Sequence, residues 1–199
     1  MKNAQGVRVR VSGTAALLTV ALLAGCAKSG IEPISSGERY VSTERFEERY
    51  LLGPGDQVRV IVFNEPQLSG QFAIGTNGEI SLPLIGSLVV AGKTVAEASD
   101  LVRAEFSQGY LRDPRISMQI DTYRPFFILG EVGQPGQYPF ATGMTALNAI
   151  ATAKGFTPRA KRNVVMIRRF GEQYEQPYVL TPDLRVWPGD TLRLTERFF

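Results

Sequence analysis

One short pattern occurs twice and frames the chain: Pro54-Gly55-Asp56-Gln57-Val58-Arg59-Val60 returns as Pro188-Gly189-Asp190-Thr191-Leu192-Arg193-Leu194. Proline presets φ at the first central position of a tight turn, glycine supplies a positive φ at the second, and aspartate can bond nearby backbone N–H groups. In each copy the residues behind the turn alternate with a period of two, the pattern of a strand with one buried face. A turn feeding a strand therefore opens and closes the ordered part of the chain. Repeated aspartates also raise a second reading, in which Asp56 and Asp190 form a catalytic carboxylate pair. The turn accounts for both residues without a substrate.

Between the two copies the sequence reads as strands with two helices. Val58, Val60 and Val62 in QVRVIVF, and Ile116, Met118 and Ile120 in RISMQID, alternate with the residues beside them. Thr94-Val95-Ala96-Glu97 is a capping box, in which the threonine side chain takes the Glu97 backbone N–H and the glutamate reaches back. Val95, Ala98, Leu101, Val102 and Phe106 then form one apolar stripe, and Gly109 follows the last turn. That stripe is read as core packing. Further on, PFFILGEV (125–132) predicts a strand running into the turn GQPGQY. A short helix is predicted over Ala146 to Ala153, with Leu147, Ile150 and Ala151 as its buried face. NVVMIRR (163–169) and TLRLTERFF (191–199) supply further strands. The expected fold is α+β and β-rich, in two small domains, the second β-grasp-like.

The N-terminus carries a different signal. Residues 1–13 hold Lys2, Arg8 and Arg10 and no acid, and Thr14 to Ala24 is an uncharged, mostly apolar run of 11 residues. A basic start, an apolar middle and small residues before a cut make a secretory signal over 1–25. The run falls short of the roughly 20 apolar residues that a permanent spanning helix needs. Leu23-Ala24-Gly25-Cys26 resembles the bacterial lipoprotein box, which implies that Cys26 Sγ takes a diacylglyceryl group and that cleavage makes Cys26 the acylated N-terminus. Two or more acyl chains anchor a protein stably, at about 0.8 kcal/mol per buried CH₂. Ala27 behind the cysteine, by resemblance to Gram-negative lipoproteins, implies the outer membrane. Residues 26–48 then read as a lipidated start and tether with an end-to-end reach of about 25 Å.

Cleavage also changes the charge. Of 22 Lys and Arg, three lie in the signal, so the mature chain of about 174 residues carries 19 cations against 19 acids. Its balance gives no reason to expect nucleic acid as a partner. The chain has no histidine and a single cysteine. Zinc sites of the usual kind, a Ser-His-Asp triad, a Cys-His pair and a disulfide framework all lack their parts. No motif calls for a metal or cofactor.

Tyr50-Leu51-Leu52-Gly53-Pro54-Gly55-Asp56, Leu68-Ser69-Gly70, Gly78-Glu79-Ile80-Ser81-Leu82-Pro83-Leu84-Ile85-Gly86 and Ala91-Gly92-Lys93-Thr94 follow in an order and spacing that resemble the polysaccharide-export domain of outer-membrane polysaccharide export lipoproteins. Gly130-Glu131-Val132, Pro135-Gly136-Gln137-Tyr138, Ala146-Leu147, Ala149-Ile150-Ala151 and Gly155-Phe156 resemble the soluble-ligand-binding β-grasp (SLBB) domain that follows it. The resemblance places the first domain at 49–122 and the second at 123–199. It implies a ring-forming homo-oligomer, lipid-anchored to the outer membrane with its domains in the periplasm, through which capsular or extracellular polysaccharide leaves the cell. The implied partners are that polymer and an inner-membrane co-polymerase, often one with a tyrosine kinase.

The longest members of that family continue into a C-terminal amphipathic helix that lines the outer-membrane pore, whereas this sequence ends at Glu196-Arg197-Phe198-Phe199. It resembles the short members, which implies a separate porin-like partner. Three further readings stand beside these. The cluster Arg159, Lys161, Arg162, Arg168 and Arg169 is either a solvated hairpin end or a contact for an acidic polysaccharide or partner. A periplasmic lyase or hydrolase would need acids gathered in a cleft, and the acids here gather in no motif. A scaffolding or ligand-binding lipoprotein without transport would use the second domain to hold a soluble ligand.

Overall fold

The structure is a computed structural model and describes residues 49–197. Its first half is built on strand β1 (Gln57–Val62), in which Val58, Val60 and Val62 point inward and Gln57, Arg59 and Ile61 outward. β1 lies in the middle of a three-stranded antiparallel sheet, between β2 (Gly70–Ala73) and β5 (Ile116–Thr122). A register shift opposite Gln57 and Val58 makes Asp121 the extra residue of a bulge on β5. Its carboxylate then reaches across the outer face to Arg59 at 2.7 Å and to Gln71 Nε2 at 2.8 Å, linking all three strands.

A hairpin of β3 (Glu79–Leu82) and β4 (Gly86–Val89) and the helix α1 (Val95–Ser107) complete this half. The expected capping box is formed: the Glu97 N–H donates to Thr94 Oγ1, and Glu97 Oε2 accepts the Thr94 N–H at 2.8 Å. Of the expected stripe, Ala98, Val102 and Phe106 are fully buried, while Val95 and Leu101 are half-buried at its margins. Burial of a side chain the size of Val102 or Phe106 contributes roughly 1.5–3 kcal/mol. These residues join Val58, Val60, Ile80 and Leu82 in one core.

The second half runs β6 (Phe126–Gly130), β7 (Gly136–Tyr138), α2 (Ala146–Thr152), β8 (Val164–Arg168), β9 (Gln176–Val179) and β10 (Thr191–Leu194). Its sheet order is β7-β6-β10-β8-β9, with β6 and β10 parallel and every other pair antiparallel. First and last strands side by side in the centre, with the helix between the second and third, is the β-grasp arrangement. Two local expectations need correction. Gly136–Tyr138 of the GQPGQY segment is an edge strand rather than part of a turn, and Tyr138 stacks on Phe126 at 6.0 Å. The buried face of α2 is Ala146, Ala149, Ile150 and Ala153; Leu147 is half-buried and Ala151 exposed. The Thr145–Asn148 capping box sets where the helix starts, and small alanines turn inward because the sheet lies close against them.

Candidate functional site

The two Pro-Gly-Asp copies fold into the same object. Asp56 N–H donates to Gly53 O at 3.2 Å and Asp190 N–H to Trp187 O at 3.1 Å, each closing a four-residue turn. In return each carboxylate accepts the backbone N–H three residues earlier, from Gly53 at 2.9 Å and from Trp187 at 2.8 Å. Gly55 and Gly189 hold φ of +91° and +84°, where a side chain is strained. Each turn launches the middle strand of its own sheet, β1 or β10.

Both carboxylates are completely buried and each is held by polar partners, with Asp190 Oδ1 left without a hydrogen bond among the described residues. Tyr50 Oη donates to both oxygens of Asp56, at 2.7 and 2.8 Å, and the Arg124 backbone N–H donates to Oδ1 at 2.8 Å. Burial, with the Asp56 carboxylate beside it, pushes the Tyr50 hydroxyl well above its ordinary range. Asp190 is bound by Arg169 Nη1, and Arg169 also stacks on Tyr178 at 5.1 Å. Burial pushes Asp190 up to about 6, against the opposing pull of Arg169 and the Trp187 N–H. With no exposed carboxylate at either turn, Asp56 and Asp190 serve the fold and do not meet in a cleft.

Between the two halves stand Tyr123 and Arg124. The Tyr123 ring packs into both cores, edge-on to Tyr50 at 5.1 Å and to Phe140 at 5.4 Å. Arg124, 7% exposed, spans the two turns: Nε donates to Pro188 O at 3.2 Å, Nη2 to Leu51 O at 3.1 Å, and Nη1 lies 3.6 Å from Asp56 Oδ2. Its guanidinium carbon sits 3.8 Å from the centre of the Phe170 ring. The neighbouring backbone is shaped to this side chain. A Cβ on Gly53 would fall 2.0 Å from Arg124 Nη1, and one on Gly189 would fall 2.7 Å from Phe170. Sequence reasoning missed Arg124, whose partners lie 64 to 73 positions away.

The basic cluster is divided by the fold. Arg169 belongs to the buried pair with Asp190, Arg168 donates to Thr191 Oγ1 at 3.2 Å, and Arg159 pairs with Glu196 at 2.8 Å. Lys161 and Arg162 stay together at the surface beside Arg197. Cys26, the signal and the tether all lie outside the described residues. Among the described residues no helix is long and apolar enough to cross a membrane, which says nothing of a β-barrel.

Comparison with known families and proteins follows the same division. Residues 45–121 match the profile of the polysaccharide biosynthesis/export protein family, and residues 125–178 that of the SLBB domain. Among curated proteins, the chain is 34% identical over 148 residues to the exopolysaccharide production protein ExoF of Rhizobium meliloti (strain 1021), covering 68% of this chain and 32% of that one. It is 29% identical over 186 residues to the EPS I polysaccharide export outer membrane protein EpsA of Ralstonia nicotianae, covering 74% and 48%. It is 25% identical over 134 residues to the polysialic acid transport protein KpsD of Escherichia coli, covering 66% and 24%. The chain thus spans between a quarter and a half of the length of these relatives.

Proposed function

The chain belongs to the polysaccharide biosynthesis/export family, and on that premise we propose that it is an outer-membrane lipoprotein that assembles into a ring for the export of capsular or extracellular polysaccharide. Cys26 carries the lipid, residues 26–48 tether the protein, and the domains at 49–122 and 123–199 stand in the periplasm. The observation that carries this reading is the succession of the two matched domains, 45–121 then 125–178, with only residues 122–124 between them. The similar proteins are named for polysaccharide production, export and transport.

A conduit needs an anchor, self-association and a polar surface, and it needs no nucleophile or cofactor. A long hydrated polymer passes best over weak polar contacts repeated around a ring. A ring requires a head-to-tail interface whose rotation closes. Supply of the polymer falls to an inner-membrane co-polymerase, with or without its own tyrosine kinase. The assembly is tested by the mass and image symmetry of the lipidated, detergent-purified protein. A closed ring is expected, and a monomer under all conditions would support a scaffolding or ligand-binding lipoprotein in its place.

A further inference from the structure

An open cleft of about 450 Å³ lies beside the end of β10, lined by Pro158, Ala160, Lys161, Arg162, Asn163 and Arg197. Its walls are tied together by backbone. Lys161 N–H donates to Thr195 O at 2.8 Å, Arg197 N–H donates to Arg159 O at 2.9 Å, and Ala160 pairs with Glu196 as an isolated bridge. Ala160, 3% exposed, anchors the loop, so the charged residues on either side of it project from a fixed frame.

Among the described residues the lining is all of one sign. Its ionisable residues are Lys161, Arg162 and Arg197, and Glu196, the acid next to them, is already engaged by Arg159. Among the described residues Lys161 has no ion-pair partner. Arg162 lies over the Phe156 ring at 5.7 Å, a stacking that steadies a guanidinium while its in-plane N–H groups remain available. Asn163 adds an exposed amide, which can both donate to and accept from a hydroxyl. The volume falls in the range of small-ligand clefts, roughly 300–1,000 Å³. Its open shape suits a segment of a passing chain better than a captured small molecule.

We propose that this cleft binds the carboxylate-bearing sugars of an acidic polysaccharide, with Lys161 and Arg162 taking the carboxylate and Asn163 a neighbouring hydroxyl. The polymer as ligand rests on the export reading; its negative charge rests on the cleft. Arg168 and Arg169, which the sequence groups with these residues, take no part, because one bonds Thr191 and the other is committed to Asp190.

The test is fluorescence anisotropy of a labelled oligogalacturonate with the full-length protein in detergent. Neutral dextran oligomers of equal length and a polyglutamate peptide of equal charge serve as comparisons. Oligogalacturonate is expected to bind, and to weaken about tenfold between about 0.05 and 0.3 M salt as the charges are screened. The double variant Lys161→Glu/Arg162→Glu should lose at least about tenfold in affinity, the scale of one or two surface charge contacts reversed in sign. Arg168→Glu, an exposed charge outside the cleft, should leave binding unchanged. Dextran or polyglutamate binding as tightly as oligogalacturonate, or the double variant binding like wild type, would overturn the site. If oligogalacturonate fails to bind while deletion of the protein still blocks secretion, this site falls and the export reading stands.

Discussion

The guanidinium of Arg124 sits 3.6 Å from the carboxylate of Asp56 with both side chains buried, and the backbone N–H of the same arginine donates to that carboxylate at 2.8 Å. One residue thus neutralises the turn that starts β1 and, through its bond to Pro188 O, holds the turn that starts β10. Removing one partner of such a pair leaves the other charge buried and uncompensated. Arg124→Met is therefore expected to cost about 3–5 kcal/mol in urea unfolding. Asp56→Asn added to it should cost much less than it does alone. Costs that add to within about 0.5 kcal/mol would show that the two residues do not interact.

Gly189 answers to a different constraint. Its φ of +84° disfavours any side chain, and a Cβ there would lie 2.7 Å from Phe170, the ring that stacks on Arg124. Gly189→Ala is expected to destabilise by about 2 kcal/mol or more. Part of that cost is the contact, so Gly189→Ala should cost less when made in a Phe170→Ala protein. An equal cost in both backgrounds, measured by thermal unfolding, would assign the whole effect to φ and remove Phe170 from the account.

Asp190 sets a pH dependence of stability. Its ordinary value is 3.8 and burial raises it to about 6 in the folded protein. Between these values the folded state holds a proton that the unfolded state has lost, so stability from this group is complete below about pH 4 and declines as pH rises to about 6. The decline is on the order of 3 kcal/mol at most. Asp190→Asn should flatten this part of the stability–pH curve. A wild-type curve whose slope between pH 4 and 6 is unchanged by the substitution would contradict the assignment.

Much of the fold was legible because its signals are local. The strands β1 and β5 show alternation, α1 shows its cap and stripe within 13 residues, and both Pro-Gly-Asp turns are written in consecutive residues. The strands that were not foreseen as such, β2, β3, β4, β7 and β9, are only three or four residues long, and β2, β4 and β7 have no fully buried residue to mark an inner face. α2 was foreseen in extent but not in its inner face, since in ALNAIAT small and large apolar residues compete and only the facing sheet decides. Of the candidate sites, the basic cluster was visible as composition. Its division into a buried counter-charge, two surface bonds and a cleft depends on Asp190, Glu196 and Thr191, all distant in sequence. Arg124 carries no sign of its role in its neighbours.

The central claim is that this chain exports polysaccharide from a lipid anchor. It is tested most directly by measuring polysaccharide outside and inside cells of a clean deletion strain, complemented by wild type or by Cys26→Ala. The account predicts loss of polymer outside, restored by wild type and not by Cys26→Ala. Unchanged secretion in the deletion strain, with no second copy able to substitute, would contradict it.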